Sequence, residues 1–329
     1  MVSPADAGED VLINGKNITV LVGPNIDDTA VGLSFQLTPG ASILPESGTI
    51  RDFSTPQTYT VTSEDGKWKK TYTVLVTSVV SIPHSFSFED ARLVNDKYYA
   101  FYETLNNDTQ QMIWDSGNSG YQLLAGNKTP DDYPTASYSE GKEGKCLKLE
   151  TVSTGALGAL FMKPIAAGNL YLGHFDSSNA FNKPLEATKF GAPLDFFPTE
   201  MTGYYKYKAG DQLTDKTGAV VDGTDTFDIY AVVFEPDSKN PYLDGSNSLT
   251  SDRLVAVARI KAEDRKETGE WTKFSLPFVL QPGKIIDKTK LFNNQYSITI
   301  VLSSSIDGAE FRGAVGSTLF IDEIKLVTE

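Results

Sequence analysis

A chain of 329 residues is too long for one ordinary β-sandwich and suits two domains. Acidic residues outnumber basic ones 43 to 29, a net charge of −14, and this argues against binding a nucleic-acid backbone, which needs clustered Lys and Arg. No stretch reaches about eighteen consecutive apolar residues, so no transmembrane helix is expected, and a single cysteine, Cys146, cannot form an intramolecular disulfide.

Residues 11 to 78 alternate as short strands. Ile18, Val20 and Val22 alternate in ITVLVG, Tyr59 and Val61 in TYTVTS, and Tyr72, Val74 and Val76 in TYTVLV. The intervening threonines favour strands and suit a solvated face. SEDG, Ser63 to Gly66, is a turn signal that makes a hairpin of the last two strands. Residues Leu37 to Gly48 form a loop-rich crossing with two prolines. Such a pattern predicts an immunoglobulin-like β-sandwich over residues 1–80. Trp68, just past the hairpin turn, either anchors the end of that sandwich or stacks on a sugar. SVVSIPHS, Ser78 to Ser85, reads as the linker, because Pro83 stops a strand ladder.

From Ser85 onward strands recur with no long helical pattern. In TFDIYAVVF both faces are apolar, which marks a central strand covered on both sides. In RLVAVARI, Leu254, Ala256, Ala258 and Ile260 make one clean apolar face. In MTGYYKYK, Tyr205 and Tyr207 share one face, with Tyr204, Lys206 and Lys208 on the other. The chain closes on SSSIDGAEFRGAVGSTLFIDEIKLV, a loop punctuated by Gly308, Gly313 and Gly316, then a final strand. In that loop a missing Cβ permits positive φ or close backbone approach. The reading is all-β: residues 81–329 form a jelly-roll β-sandwich. Long loops at 105–145, 176–200 and 237–252 are candidate functional segments.

Several blocks of this second region are specific. They are FSFED at Phe86 to Asp90, IWDSGNSGY at Ile113 to Tyr121, GNLYLGHF at Gly168 to Phe175, the run Lys189 to Asp211, GEWTKFSLPF at Gly269 to Phe278, and Ser303 to Leu326. In this order they resemble the PCMD family of Bacteroidetes, named for a putative carbohydrate metabolism domain. FSTPQTYTVTSEDGKWKKTYTVLV is similar to the immunoglobulin-like modules that precede such domains in exported lipoproteins. The resemblance implies a jelly-roll second domain resembling carbohydrate-binding modules, in an exported protein, anchored at the outer-membrane cell surface or periplasmic, with a role in glycan use. An anchoring lipid would sit on a cysteine ahead of the residues shown here. An oligosaccharide or polysaccharide is the expected partner, and the protein is expected to be a monomer that requires no cofactor.

Sugar recognition needs flat aromatic faces and groups that bond hydroxyls in pairs. Trp114, Asp115 and Asn118 offer both on a glycine-rich loop. The alternative is a turn whose Asp and Asn bond their own backbone, with Trp114 in the core. Asp307, Glu310 and Arg312 form a second candidate group, in which Glu310 and Arg312 would share a face if extended. Tyr205 and Lys206 are a third. Hydrolysis of a glycoside would need two carboxyls, about 5–9.5 Å apart. Asp115, Glu235 and Glu310 stand beside loop or strand ends, but no spacing singles out a pair. Glu89 or Asp90, with Asp322, could hold a structural calcium ion if the first and last strands pair. Cys146 reads as a packed thiol, because only His84 and His174 are present to activate it. Three functions follow: an exported carbohydrate-binding protein, a glycoside hydrolase using paired carboxylates, or a structural cell-surface or adhesin module.

Overall fold

The structure, a computed structural model, describes residues 11–22, 28–78, 82–104, 110–124, 126–178, 180, 182–237, 239–292 and 294–328. The protein is all-β. Its few helices are single turns or little more, such as Asn118–Tyr121 and Gly155–Leu160. The chain divides into two compact units, Met1–Ser81 with Asp287–Gln295, and Ile82–Ile286 with Tyr296–Glu329. Of the predicted linker, residues 79–81 lie outside the described residues.

In the first unit five strands form one sheet in the order Val11–Asn14, Asn17–Val22, Lys69–Ser78, Gln57–Thr62, Ser42–Leu44. Asn17–Val22 runs parallel to Lys69–Ser78, and the other neighbours are antiparallel. The expected hairpin is present. Its turn is closed by the Asp65 carboxylate, which accepts from Ser63 Oγ at 2.6 Å and from the Lys67 amide at 3.1 Å. Val20, Leu33, Phe53, Tyr59, Val74 and Val76 make the core. Trp68 is 51 % exposed and takes no part in that core, so it does not anchor the unit.

The second unit holds two large sheets. The six-stranded sheet runs Thr135–Tyr138, Cys146–Glu150, Thr318–Val327, Glu200–Lys208, Thr268–Pro277, and Ser85–Phe86 also pairs with Thr318–Val327. The eight-stranded sheet runs Trp114–Asp115, Asn169–Phe175, Tyr296–Ser303, Asp228–Phe234, Leu254–Arg259, Val279–Leu280, with Thr188–Phe190 and Ala192–Leu194 attached. Every pairing within these two sheets is antiparallel.

All seven residues of Asp228–Phe234 are buried, as a strand with two apolar faces requires. Each large side chain so buried contributes about 1.5–3 kcal/mol. Aromatic rings from the two sheets meet at Phe227, whose centroid lies 4.8 Å from that of Tyr205 and 4.7 Å from that of Tyr207. The closing strand does lie beside the unit's beginning, with Ile324 opposite Phe86.

One buried carboxylate organises the loop before that strand. Asp225 Oδ2 accepts from Ser305 Oγ at 2.6 Å, the Ala314 amide at 2.7 Å and Ser317 Oγ at 2.7 Å. The chain has no room for side chains where it turns past this anchor. A Cβ on Gly308 would stand 2.3 Å from the Ala167 Cβ, and Gly316 has φ +94. Deleting the acceptor would strand several buried donors, each costing about 1–3 kcal/mol. Asp225→Ala is therefore expected to lower stability by about 3 kcal/mol or more in urea unfolding. The exposed Asp307–Arg312 pair is the internal control: Asp307→Ala should cost roughly 0–1 kcal/mol. Equal costs for the two substitutions would contradict this account.

Candidate functional site

Antiparallel register fixes which side chains share a face. On the eight-stranded sheet Asp115 is opposite Tyr171, Tyr171 opposite Val301, Val301 opposite Tyr230, and Tyr230 opposite Arg259. One row of five residues thus crosses five strands on a single face. A second row lies two residues away, with Asn169 opposite Ser303 and Ser303 opposite Asp228. Ile229, Ala231 and Val233 of the central strand point to the other face.

Loops close around this double row and leave a cavity of about 470 Å3, within the usual size of a small-ligand pocket. Tyr171, Tyr230, Val301, Asn169, Ser303, Asp228 and Arg259 all line it. The walls come from Tyr121, Leu123 and Leu124, from Leu157 and Gly158 of the helix Gly155–Leu160 with Phe161 and Lys163 after it, from Phe175, Ala180, Leu185, Thr188 and Phe190, from Gly245, Ser248 and Leu249, and from Ile306, Gly308, Ala309 and Phe311 of the terminal loop.

The floor is rigid and charged at one end. Asp228 is 4 % exposed, and Arg259 grips it through Nε at 3.0 Å and Nη2 at 2.7 Å, both to Oδ2. Arg265 Nη2 donates to Oδ1 at 3.0 Å. Two guanidinium groups on one carboxylate leave local positive charge in an acidic protein. The Arg259 guanidinium lies 5.9 Å from the centroid of the Tyr230 ring. The Tyr230 hydroxyl shares a hydrogen bond with Ser248 Oγ at 2.9 Å, and burial pushes its ionisation up. Burial does the same to Tyr171, whose hydroxyl has no hydrogen-bond partner among the described residues. A cavity with aromatic floor, hydroxyls and a fixed cation can orient a neutral or anionic polar ligand over an apolar base.

The residues singled out in the sequence have other places. Trp114 is 3 % exposed, its indole packs on Phe86 and Phe88, and its Nε1 donates to Glu103 Oε1 at 2.7 Å. It is a core residue and offers no open face to a sugar. Asn118 is 1 % exposed and clasps Thr135: its Nδ2 donates to the Thr135 carbonyl at 2.7 Å and its Oδ1 accepts from the Thr135 amide. A side chain so occupied cannot bond a ligand. Asp115 alone of that block extends the cavity floor row. Its carboxylate accepts from the Phe175 amide at 2.7 Å and the Ser116 amide at 2.8 Å, and burial raises its pKa despite those bonds.

Glu310 and Arg312 do not face one another as an extended pair. Residues Gly308–Glu310 form a 3-10 turn, Phe311 follows at φ +57, and Arg312 pairs with Asp307 instead. Glu310 is exposed. Glu235 is half-buried one residue beyond Asp228–Phe234, outside the cavity lining. Tyr205 is 2 % exposed and donates to the Asp264 carbonyl at 3.0 Å, so it too is a core residue. Lys206 faces outward and lies over the Trp271 ring at 4.7 Å.

Of the acids considered for calcium, Asp322 and Glu89 are held by main-chain amides and Asp90 by a hydroxyl. Asp322 Oδ2 accepts from the amides of Lys142 at 2.7 Å and Glu143 at 3.2 Å, Glu89 accepts from the Lys145 amide at 3.0 Å, and Asp90 accepts from Thr104 Oγ1 at 2.6 Å. Asp322 and Glu89 thereby pin the loop 140–145. No cluster of three metal-ligating side chains occurs among the described residues. Cys146 is fully buried, with its thiol pushed up to about 12 by burial, and is unreactive there.

Sequence reasoning missed Asp228, Tyr230, Arg259 and Tyr171. A signal was present: Asp228 and Tyr230 break an otherwise apolar strand at i, i+2, and Arg259 falls off the clean face of RLVAVARI.

Comparison with known proteins adds context. Residues 87–327 match the family described as "Putative carbohydrate metabolism domain", and residues 5–76 match the family described as "SGBP, N-terminal". A solved structure described as a putative glycoside hydrolase from Bacteroides thetaiotaomicron is 48% identical, with a TM-score of 0.75, covering 100% of this chain and 95% of that one. Another, described as a putative glycoside hydrolase from Bacteroides vulgatus, is 42% identical, with a TM-score of 0.71, covering 76% of this chain and 99% of that one. No curated protein matches the chain.

The Trp114 partner supplies a pH test of this packing. Burial pushes the Glu103 carboxyl up to about 7, while the indole bond opposes the rise and Asp90 adds to it. A raised folded-state pKa means the fold holds the protonated form. That contribution is complete below about pH 4.5 and is lost as pH rises towards 7. Thermal or urea melts should show wild type losing roughly 1–3 kcal/mol across this window relative to Glu103→Gln, whose neutral amide still accepts from Trp114. Parallel pH profiles for the two proteins would refute the assignment.

Proposed function

We propose, because the chain belongs to the putative carbohydrate metabolism domain family, that it is an exported glycan-binding protein which holds its sugar in the cavity on the eight-stranded sheet. Its two large sheets stack as a jelly-roll sandwich in this reading, carried behind an immunoglobulin-like module. The match of residues 5–76 to the family "SGBP, N-terminal" supports placement at the bacterial surface, where this reading has the protein act as a lipid-anchored monomer. No helix among the described residues is long and apolar enough to cross a membrane.

The observation that carries the reading is the row Tyr171–Val301–Tyr230–Arg259. Pyranose C–H faces pack on aromatic rings, and ring hydroxyls bond to charged or hydroxyl groups at their edges. Tyr230 offers the ring, with Ser248, Asp228 and Arg259 around its edge. Binding is favoured over cleavage because Asp228 is the one carboxylate among the lining residues, and two arginines hold it. A glycosidase needs a second carboxyl within roughly 5–9.5 Å. The descriptions of the two solved relatives favour hydrolysis as a second reading. In that case Asp115, whose raised pKa suits a general acid, is the residue in line with the floor.

A glycan array followed by calorimetry tests the proposal. Arg259→Gln keeps an amide beside Asp228 and removes the cation, and it should weaken binding of the selected oligosaccharide about tenfold. An array with no ligand, or full affinity in Arg259→Gln with its melting temperature intact, would remove this site. Cleavage of the selected oligosaccharide by the wild type, abolished in Asp115→Asn, would replace binding with hydrolysis.

A further inference from the structure

Resting on the glycan reading of this cavity, we infer that its ligand is a sugar bearing an aryl substituent, and that the apolar walls take the aryl group. The polar lining groups are unevenly placed. Asn169, Ser303 and Asp228 stand opposite one another on the floor, and Arg259, Tyr230 and Ser248 adjoin them. The walls are mostly apolar: Leu124, Leu157, Phe161, Leu185, Leu249 and Ile306 present no hydrogen-bonding side chain, and their polar members are engaged, with the hydroxyls of Tyr121, Thr154 and Thr188 donating to main-chain carbonyls and Lys163 lying over the Phe311 ring. A bare sugar filling such a cavity would leave hydroxyls against these walls, at about 1–3 kcal/mol for each one unbonded. An apolar group there gains about 25 cal/mol for each Å2 removed from water.

The lip of the cavity points the same way. Leu157 and Phe161 line it yet are 53 % and 43 % exposed. Next to them Leu160, the last residue of the short helix, and Met162, two residues beyond it, are 74 % and 47 % exposed. Aromatic neighbours choose an aryl group over an alkyl chain. Tyr171 and Phe190 already meet edge to face, at 4.8 Å and 73°, and both line the cavity with Phe161 and Phe175. A further ring extends that edge-to-face pattern, which an alkyl chain cannot do. The cavity of about 470 Å3 has room for a ring beside a sugar.

The test compares methyl, hexyl and 4-nitrophenyl glycosides of gluco, galacto, manno, xylo and N-acetylglucosamine configuration, by calorimetry with the whole chain. The 4-nitrophenyl glycoside of the preferred sugar should bind at least about tenfold tighter than its methyl counterpart, equivalent to ~1.4 kcal/mol, and several-fold tighter than the hexyl one. Leu157→Ser should erase that gain. Leu160→Ser, at an exposed position outside the lining, should keep it. Both sites are exposed enough for the fold to tolerate serine. Methyl and 4-nitrophenyl glycosides of equal affinity would overturn the inference and leave the glycan reading standing. A hexyl glycoside matching the nitrophenyl one would overturn the aryl assignment. Free 4-nitrophenol binding as tightly as any glycoside would overturn the glycan reading itself, and with it this inference. No binding by any compound would overturn both.

Discussion

The second unit depends on the buried carboxylate of Asp225. Its donors arrive from different elements: Ser305 just after Tyr296–Ser303 of the eight-stranded sheet, and Ser317 just before Thr318–Val327 of the six-stranded one. Ser305 Oγ is shared with Thr151 Oγ1 at 2.6 Å, and Thr151 follows Cys146–Glu150 of the six-stranded sheet. Thr151 in turn donates its amide to the Ser317 carbonyl at 2.8 Å. A closed ring of hydrogen bonds therefore ties the two sheets at one end. Buried networks of this kind hold a single arrangement when every member is satisfied. The terminal loop is fixed by the same ring, and that loop supplies Gly308, Ala309 and Phe311 to the cavity wall.

Three residues along the chain, Asp228 solves the same problem by opposite means. Asp225 is surrounded by neutral donors, whereas Asp228 is met by Arg259 and Arg265. A carboxylate solvated by hydroxyls and an amide serves rigidity and can be sealed away. A carboxylate met by two arginines leaves an excess of positive charge, and the side chain of Arg259, 36% exposed, carries it to the cavity. The strand between these two acids and the apolar core is thus anchored twice, once for architecture and once for polarity.

Strands were legible in the sequence because alternation is local. The two-faced strand Asp228–Phe234 and the shared face of Tyr205 and Tyr207 follow from period-two patterns and apolar runs. The glycines of the terminal loop were legible for the same reason. The site was not. Its floor joins Tyr171, Val301, Tyr230 and Arg259, drawn from four stretches that only strand register brings together, with Asp115 next in the same row but outside the cavity lining. Composition misled at IWDSGNSGY, where an aromatic, a carboxylate and an amide look like a sugar clamp. Tertiary packing spends two of the three on the core: Trp114 on Phe86 and Glu103, Asn118 on Thr135. Spacing misled at Glu310 and Arg312, because a 3-10 turn and a left-handed Phe311 break the extended geometry that would align them.

The cavity itself follows from how the outer face of the eight-stranded sheet is covered. A strand apolar on both faces needs two covers. On one side Phe227, just before that strand, meets Tyr205 and Tyr207 of the six-stranded sheet. The other cover is made of loops and single-turn helices, with Leu243, Leu249 and Phe175 packed on Phe190, Tyr230 and Phe234. Such a cover reaches part of the face and leaves the rest as a hollow. The floor's chemistry is then set by register, which a rigid antiparallel sheet holds firmly. The hollow's depth and outline are set by the lengths of loops, which tolerate insertion and substitution. Charge and aromatic placement are accordingly the conservative part of this site, and its apolar walls are the part through which the same floor could be fitted to different ligands.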